Sequence, residues 1–269
     1  MISNRISGVP KYEFYEFDKK NNDYCLLIPI INEGTRIHKE LLRANKSNIS
    51  NIVDIIICDG DSNDNSTNHD LLKSVNVNTL LVKKDFGKQG AQLRMGIHFA
   101  LSRNYKGILT IDGNNKDSIE DVPLFIEKLK EGYDFVQGSR YIKGGNAINT
   151  PLIRHISVRY IHAPIISLSA RHWFTDTTNA FRAYSSTYLI HPDVQPLRDI
   201  FVTYELLAYL STRASQLGLK VCEIPVTREY PKNEATPTKI KGLKGNFLLI
   251  SILFKNLFNI YHPKRSRNV

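Results

Sequence analysis

Acid is what this chain of 269 residues is short of: 26 Asp and Glu stand against 36 Lys and Arg, a formal charge of +10 at neutral pH. That balance favours anionic partners, whether nucleic acid, nucleotide phosphates or an acidic lipid surface. Nucleic acid is set aside, because no zinc finger, RNP-like motif or patterned basic helix accompanies the charge. Cysteine is scarce as well. The three, Cys25, Cys58 and Cys222, have no CxxC spacing and no histidine at ligand spacing, which argues against a disulfide framework or a zinc site and fits a reduced, cytosolic compartment. Long apolar runs are missing too. The longest, Phe247 to Ile260, is broken by Ser251, Lys255, Asn256 and Asn259, short of the ~20 residues that span a bilayer. Residues 1–24 are polar and mixed in charge, without the apolar stretch of a secretory signal, so no export is expected.

What is present is enough to build a core. With 42% hydrophobic residues, the length suits one α/β domain with a small appendage. Tyr24 to Ile30 and Ile52 to Cys58 are β-branched-rich apolar runs, and Thr35 to Asn45 between them reads as an amphipathic helix. Leu80 to Lys83 predicts a further strand, Gly90 to Ser102 a helix with Leu93, Ile97 and Leu101 on one face, and Gly107 to Ile111 another strand. A helix over Ile119 to Glu131, closed by Gly132, leads to a strand at Asp134 to Gln137. The alternation predicts a mostly parallel sheet flanked by helices on both faces. Beyond it, Pro151 to Ser169 and Tyr204 to Leu217 read as helices, Lys220 to Pro225 as a strand.

In open α/β sheets ligands sit at the carboxyl ends of the strands. Three strands here end in acids, amides and glycine: Pro29-Ile30-Ile31-Asn32-Glu33-Gly34, Cys58-Asp59-Gly60-Asp61-Ser62-Asn63-Asp64 and Asp112-Gly113-Asn114-Asn115-Lys116-Asp117. Each taken alone is an ordinary turn composition.

Together these loops resemble glycosyltransferase family 2, with its strand ending in P-x-x-N-E, then D-x-S-x-D, then D-x-D. Lys88-Gln89-Gly90-Ala91-Gln92, with Arg94 and Gly96, resembles the family's K-G-x-A-x-x-x-G helix entry. Gly138-Ser139-Arg140-Tyr141, the stretch Asp176 to Tyr184 and Glu223-Ile224-Pro225-Val226-Thr227-Arg228 resemble motifs of the dolichyl-phosphate mannose synthases. The similarity covers roughly residues 24 to 230 and implies a Rossmann-like GT-A fold, with residues 1–230 as the catalytic domain and 231–269 as a basic, amphipathic tail.

The resemblance also implies a distribution of roles. Pro29, Asn32, Glu33, Asp59 and Asp61 fall on the nucleotide side, where a carboxylate accepts hydrogen bonds from base or ribose. Gly90 opens a helix whose N-terminus can receive an anion, and Lys88 adds a charge beside it. Asp112 and Asn114 are the metal candidates for Mg²⁺ or Mn²⁺ bridging the phosphates of a GDP- or UDP-linked sugar. Asn114 departs from the family, since an amide oxygen ligates without supplying charge. Arg140 and Arg154 lie where the similar synthases hold an acceptor phosphate, with Arg228 on the donor side; the planar guanidinium fork suits phosphate oxygens. Asp176 can orient the acceptor, or act as a base should the acceptor be a hydroxyl. A cap or solvated surface role is the structural alternative for each.

The tail from Gly242 reads as a mostly apolar helix between Lys239, Lys241 and Lys244 on one side and Lys264, Arg265 and Arg267 on the other. Such a segment can lie in an anionic lipid interface or pack on the domain. The expected activity is inverting sugar transfer from a nucleotide sugar to a polyprenyl phosphate, by a cytoplasmic protein peripheral at the membrane. The alternatives are a glycan hydroxyl acceptor in surface polysaccharide synthesis, or a weakened nucleotide-binding scaffold.

Overall fold

The computed structural model describes residues 8–232 and 242–264. Ten strands are numbered among the described residues: β1 Tyr12–Glu16, β2 Tyr24–Ile30, β3 Asp54–Asp59, β4 Val77–Lys83, β5 Gly107–Thr110, β6 Phe135–Ser139, β7 Asn146–Ile148, β8 Arg182–Ser185, β9 Val221–Pro225 and β10 Thr227–Glu229. Eight of them form one sheet in the order β1-β4-β3-β2-β5-β8-β6-β9. β4, β3, β2 and β5 run parallel, as do β6 and β9, while β1 and β8 are antiparallel to their neighbours. β7 and β10 make a separate parallel pair.

Side chains alternate across the sheet as the pleat requires. Cys25, Leu27, Ile56 and Cys58 enter one core, and Leu26, Ile28, Ile55 and Ile57 enter the other. Burying each of the Leu and Ile side chains contributes about 1.5–3 kcal/mol. The second core is closed partly by helix Thr35–Lys46, whose buried residues Ile37, Glu40, Leu41 and Ala44 recur at helical spacing. The first is closed by helix Gln89–Ser102, which lies so close to the strands that a Cβ on Gly96 would stand 2.6 Å from Cys58 Sγ and 2.8 Å from Leu27 Cδ1.

The chain steps from β2 outward through β3 and β4, then returns to place β5 on the other side of β2. The strand order therefore reverses between β2 and β5, which puts a crevice outside their carboxyl ends. Glu33 follows β2 and Asp112 follows β5.

Two parts differ from the sequence reading. β1 and β8 complete the sheet where no strand was expected, and the anticipated helix from Pro151 consists of Leu152–Ser157, a π-helical turn Val158–His162 and Ala163–Ala170. Helix Gly242–Leu257 packs on helices Ala163–Ala170 and Glu205–Gln216. Ile252 and Leu253 join the core there, and buried Asn256 donates to Thr212 Oγ1 at 3.0 Å and Ser169 Oγ at 3.3 Å. Its outer side exposes Phe247, Leu248, Ile250, Phe254 and, just beyond, Phe258. Lys239, Lys241, Arg265 and Arg267 lie outside the described residues, as does the Lys244 side chain.

Candidate active site

The loops after β2 and β3 are stitched into one unit. The backbone N–H of Asn32 donates to Ser62 Oγ (2.9 Å), that of Asn63 to Asn32 Oδ1 (2.9 Å), that of Glu33 to Ser66 Oγ (3.0 Å) and that of Gly34 to Asp64 Oδ2 (3.0 Å). Asn32 and Asp61 hold positive φ of 49° and 74°, conformations that Asn and Asp tolerate better than other side chains. Pro29 faces Cys58 in the β2/β3 ladder.

The acids of this unit divide their work. Asp59 is buried and turns into its own loop, accepting from the N–H groups of Asp61 (2.9 Å) and Ser62 (2.8 Å) and from Ser62 Oγ. Burial pushes its carboxyl up despite those hydrogen bonds. Both oxygens of Asp59 are engaged within its own loop, where they shape the backbone. Asp61 is exposed and pairs with Lys84 at 2.7 Å, and Glu33 pairs with Arg36 at 3.0 Å.

Helix Gln89–Ser102 enters this edge and ties it together. Gln92 Nε2 donates to the carbonyls of Ile30 (2.5 Å) and Cys58 (2.8 Å), pinning the ends of β2 and β3, and Gln89 Nε2 donates to Asp112 Oδ1 at 3.0 Å. Gly90 has a steric role at this helix entry. A Cβ there would stand 2.7 Å from the Phe201 carbonyl oxygen and 2.9 Å from that of Thr203, so the missing side chain admits the 201–203 backbone. The backbone N–H of Lys88 is taken by the Val202 carbonyl at 2.9 Å, while its side chain is exposed. The helix entry is therefore partly covered.

Asp112 lies at the centre of a charged cluster. Arg228 Nη2 donates to its Oδ2 at 3.1 Å, and Arg228 Nη1 donates to Asp117 Oδ2. Burial acts to raise the Asp112 carboxyl, but Arg228 and Lys116 outweigh it and hold the group below its usual range. Asp117, fully buried, is pushed up by desolvation. Lys116 is driven down to about 8, first by burial and then by Arg228. Beneath the loop, the buried Glu40 accepts the Asn115 N–H at 2.7 Å and fixes Asn115 at φ 58°. Desolvation raises the Glu40 carboxyl well above its ordinary value.

Whether this cluster suits a divalent cation is decided by its free oxygens. Asn114 Oδ1 is buried without a hydrogen-bond partner, and Asn114 Nδ2 lies 3.4 Å from Asp112 Oδ2. One carboxylate beside one orphaned amide oxygen fits an ion completed by substrate phosphates and water, as Mg²⁺ is commonly held. No group of three His, Cys, Asp or Glu side chains able to hold a metal exists among the described residues.

The residues expected on the acceptor side form a second cluster. Arg140 and Asp176 make a buried fork, with Nε to Oδ2 at 2.6 Å and Nη2 to Oδ1 at 2.8 Å, and Nη2 also reaches Thr178 Oγ1 at 2.9 Å. Glu223 supports it from β9 by accepting the N–H groups of Thr175 and Asp176. Burial opposes ionisation of Asp176, but Arg140 prevails and holds the carboxyl low. Arg140 Nη1 is buried with no partner. Arg154, on the helix that starts at Leu152, donates through Nη1 to Tyr230 Oη at 3.2 Å. Arg228 lies within electrostatic reach of Arg140 and Asp176, so the clusters adjoin. His162 is half-buried, lies 2.6 Å from Thr177 Oγ1 and is driven down to about 4 by desolvation, which keeps it neutral.

Sequence reasoning gave no role to Glu40, Gln89, Gln92 or Tyr230. Glu40 had a signal: it is an acid on the apolar stripe of an amphipathic helix. Tyr230 had none, because its neighbours come from distant segments.

The family model described as glycosyl transferase family 2 matches residues 25–191. The chain is 29% identical over 235 residues to an uncharacterised protein of Methanocaldococcus jannaschii, covering 85% of this chain and 91% of that one. It is 28% identical over 148 residues to the undecaprenyl-phosphate mannosyltransferase of Micrococcus luteus, covering 55% and 58%. It is 25% identical over 153 residues to the polyprenol monophosphomannose synthase of Mycolicibacterium smegmatis, covering 57% and 56%. Among solved structures, glucosyl-3-phosphoglycerate synthase from Mycobacterium tuberculosis, in complex with Mn²⁺, UDP and phosphoglyceric acid, superposes with a TM-score of 0.60 at 14% identity, covering 87% of this chain and 78% of that one. That likeness concerns the fold.

Proposed function

The chain belongs to glycosyl transferase family 2, and on that premise we propose that it moves a sugar from a GDP- or UDP-linked donor to a polyprenyl phosphate, inverting the anomeric carbon. The observation that carries the acceptor reading is the state of Asp176. A hydroxyl acceptor calls for a general base whose pKa lies near the working pH. Asp176 has both oxygens on Arg140 and is held low, so it is poorly suited to take a proton. A phosphate monoester, with a second pKa near 6, arrives ionised and needs only cations. Arg140 retains a buried, unpartnered Nη1, and Arg154 has no carboxylate partner among the described residues. The two relatives named for polyprenyl phosphates support the same acceptor.

In this reading an acceptor phosphate oxygen attacks the anomeric carbon as the bond to the donor diphosphate breaks, and the diphosphate leaves with the electron pair. Lys116 and Arg228 stabilise the departing charge, and Arg140 and Arg154 position the attacking group. Asp112 and Asn114 would hold Mg²⁺ or Mn²⁺, which supplies further neutralisation of the diphosphate when bound.

A lipid acceptor places the protein at a membrane surface, on its cytosolic face. No helix among the described residues is long and apolar enough to cross a membrane. In support of surface binding, residues 138–175 and 235–269 contain no Asp or Glu, and the segments there expose Leu152, Ile153, Tyr160, Phe247 and Phe258. Such a surface suits anionic headgroups and an apolar boundary.

Nucleotide release with a short prenyl phosphate, compared with the matching prenyl alcohol, tests the proposal. Release with the phosphate alone is expected; equal release with the alcohol overturns the acceptor reading.

A further inference from the structure

Tyr230 is almost completely buried just beyond β10. Its ring is approached by cations from three segments: Lys116 Nζ at 5.0 Å from the loop after β5, Arg154 Cζ at 5.7 Å from the helix starting at Leu152, and Arg228 Cζ at 5.8 Å from β10. Its backbone is fixed on both sides, with the N–H given to the Ile148 carbonyl at 3.0 Å and the carbonyl taken by Asn149 Nδ2 at 3.2 Å. The β7/β10 pair therefore exists at the point where this ring must be held.

Three cations around one aromatic ring repel one another, and the ring's negative faces offset part of that cost. Their counter-charges are unequal. Arg228 has Asp112 and Asp117. Arg154 has the Tyr230 hydroxyl, an acceptor without charge, and among the described residues no carboxylate. The guanidinium is oriented but its charge is left for something else.

We propose that Tyr230 is a positioning residue joining two anion sites: its ring holds Lys116 and Arg228 toward the donor diphosphate, and its hydroxyl aims Arg154 at a separate phosphate monoester. This deepens the acceptor reading above and rests on it for the identity of the monoester. The depressed Tyr230 pKa, in which burial is outweighed by Arg228, Arg154 and Lys116, agrees with such a crowded cationic setting.

The test uses the full chain with inorganic phosphate and a nucleoside diphosphate as separate probes, titrated by NMR or calorimetry. Tyr230→Phe keeps the ring and removes the hydroxyl. It is expected to weaken phosphate binding about tenfold, the value of one charge-assisted hydrogen bond, and to leave the nucleoside diphosphate unchanged. Tyr230→Leu removes the ring and is expected to weaken both. Arg154→Gln guards against a folding artefact: it should reproduce the phosphate loss, and adding Tyr230→Phe to it should cost nothing further. Phosphate binding that is absent from the wild type, unchanged in Tyr230→Phe, or lost additively in the double variant overturns the inference. If the two probes separate as stated while wild type turns over no prenyl phosphate, the acceptor reading falls and the role of Tyr230 stands.

Discussion

Asp112 meets Arg228 and Gln89 with its two oxygens, so its replacement disturbs charge and geometry together. Asp112→Asn is expected to lower kcat/KM by about 10²–10³, as loss of a single preorganised electrostatic group does. Steady-state nucleotide release, with near-native circular dichroism as control, checks it. Lys116 gives a pH signature. Its folded value of about 8 lies below the ordinary lysine value, so the cation is present below that pH and is lost as pH rises through it. Donor kcat/KM should fall above pH 8, and Lys116→Arg should move the break to higher pH. The same shift has the opposite sense for folding: from pH 8 to the ordinary lysine value the unfolded chain binds more protons, and this group's contribution to stability rises with pH.

Among the elements, helix Gln89–Ser102 joins fold and site most directly, since Gly96 seats it on the strands and Gly90 admits residues 201–203. Gly90→Ala forces its methyl against two backbone carbonyls and is expected to cost about 1–3 kcal/mol of stability, measured by urea unfolding. Helix Gly242–Leu257 has separable faces. Replacing Phe254 and Phe258 with Ser should abolish binding to anionic vesicles while leaving the melting temperature within a few degrees; unchanged vesicle binding refutes a lipid-facing role for that surface. The elements that the sequence made legible are those with one dominant signal. β2, β3 and β5 are apolar runs buried on both faces, and helix Thr35–Lys46 carries its stripe openly. β8 was not legible, because its four residues include Arg182, whose buried guanidinium is satisfied by the carbonyls of Asn179, Thr177 and Leu207. β1 has the alternation of an edge strand but is only Tyr-Glu-Phe-Tyr-Glu, and its partner β4 lies some 60 residues away. Candidate site positions were legible where they end or follow a strand, as Asp59 and Asp112 do. Their duties were not, since the inward turn of Asp59 and the pairing of Asp176 with Arg140 depend on neighbours far along the chain.

For the whole molecule, the sheet's reversal between β2 and β5 brings the acids proposed for the donor to one edge, and the β7/β10 pair carries Arg228 and, just beyond it, Tyr230. Arg140 and Arg154, proposed for the acceptor, come from a segment that carries no acid between residues 138 and 175. In the proposed reaction a charged donor and a charged acceptor approach cations that are built in before either arrives. Mass and NMR analysis of the product formed from a panel of nucleotide sugars with undecaprenyl phosphate tests this most directly. One hexose joined to the lipid through an acid-labile glycosyl phosphate, with its anomeric configuration inverted, is the predicted product. Donor turnover that leaves the lipid phosphate unmodified would contradict the account.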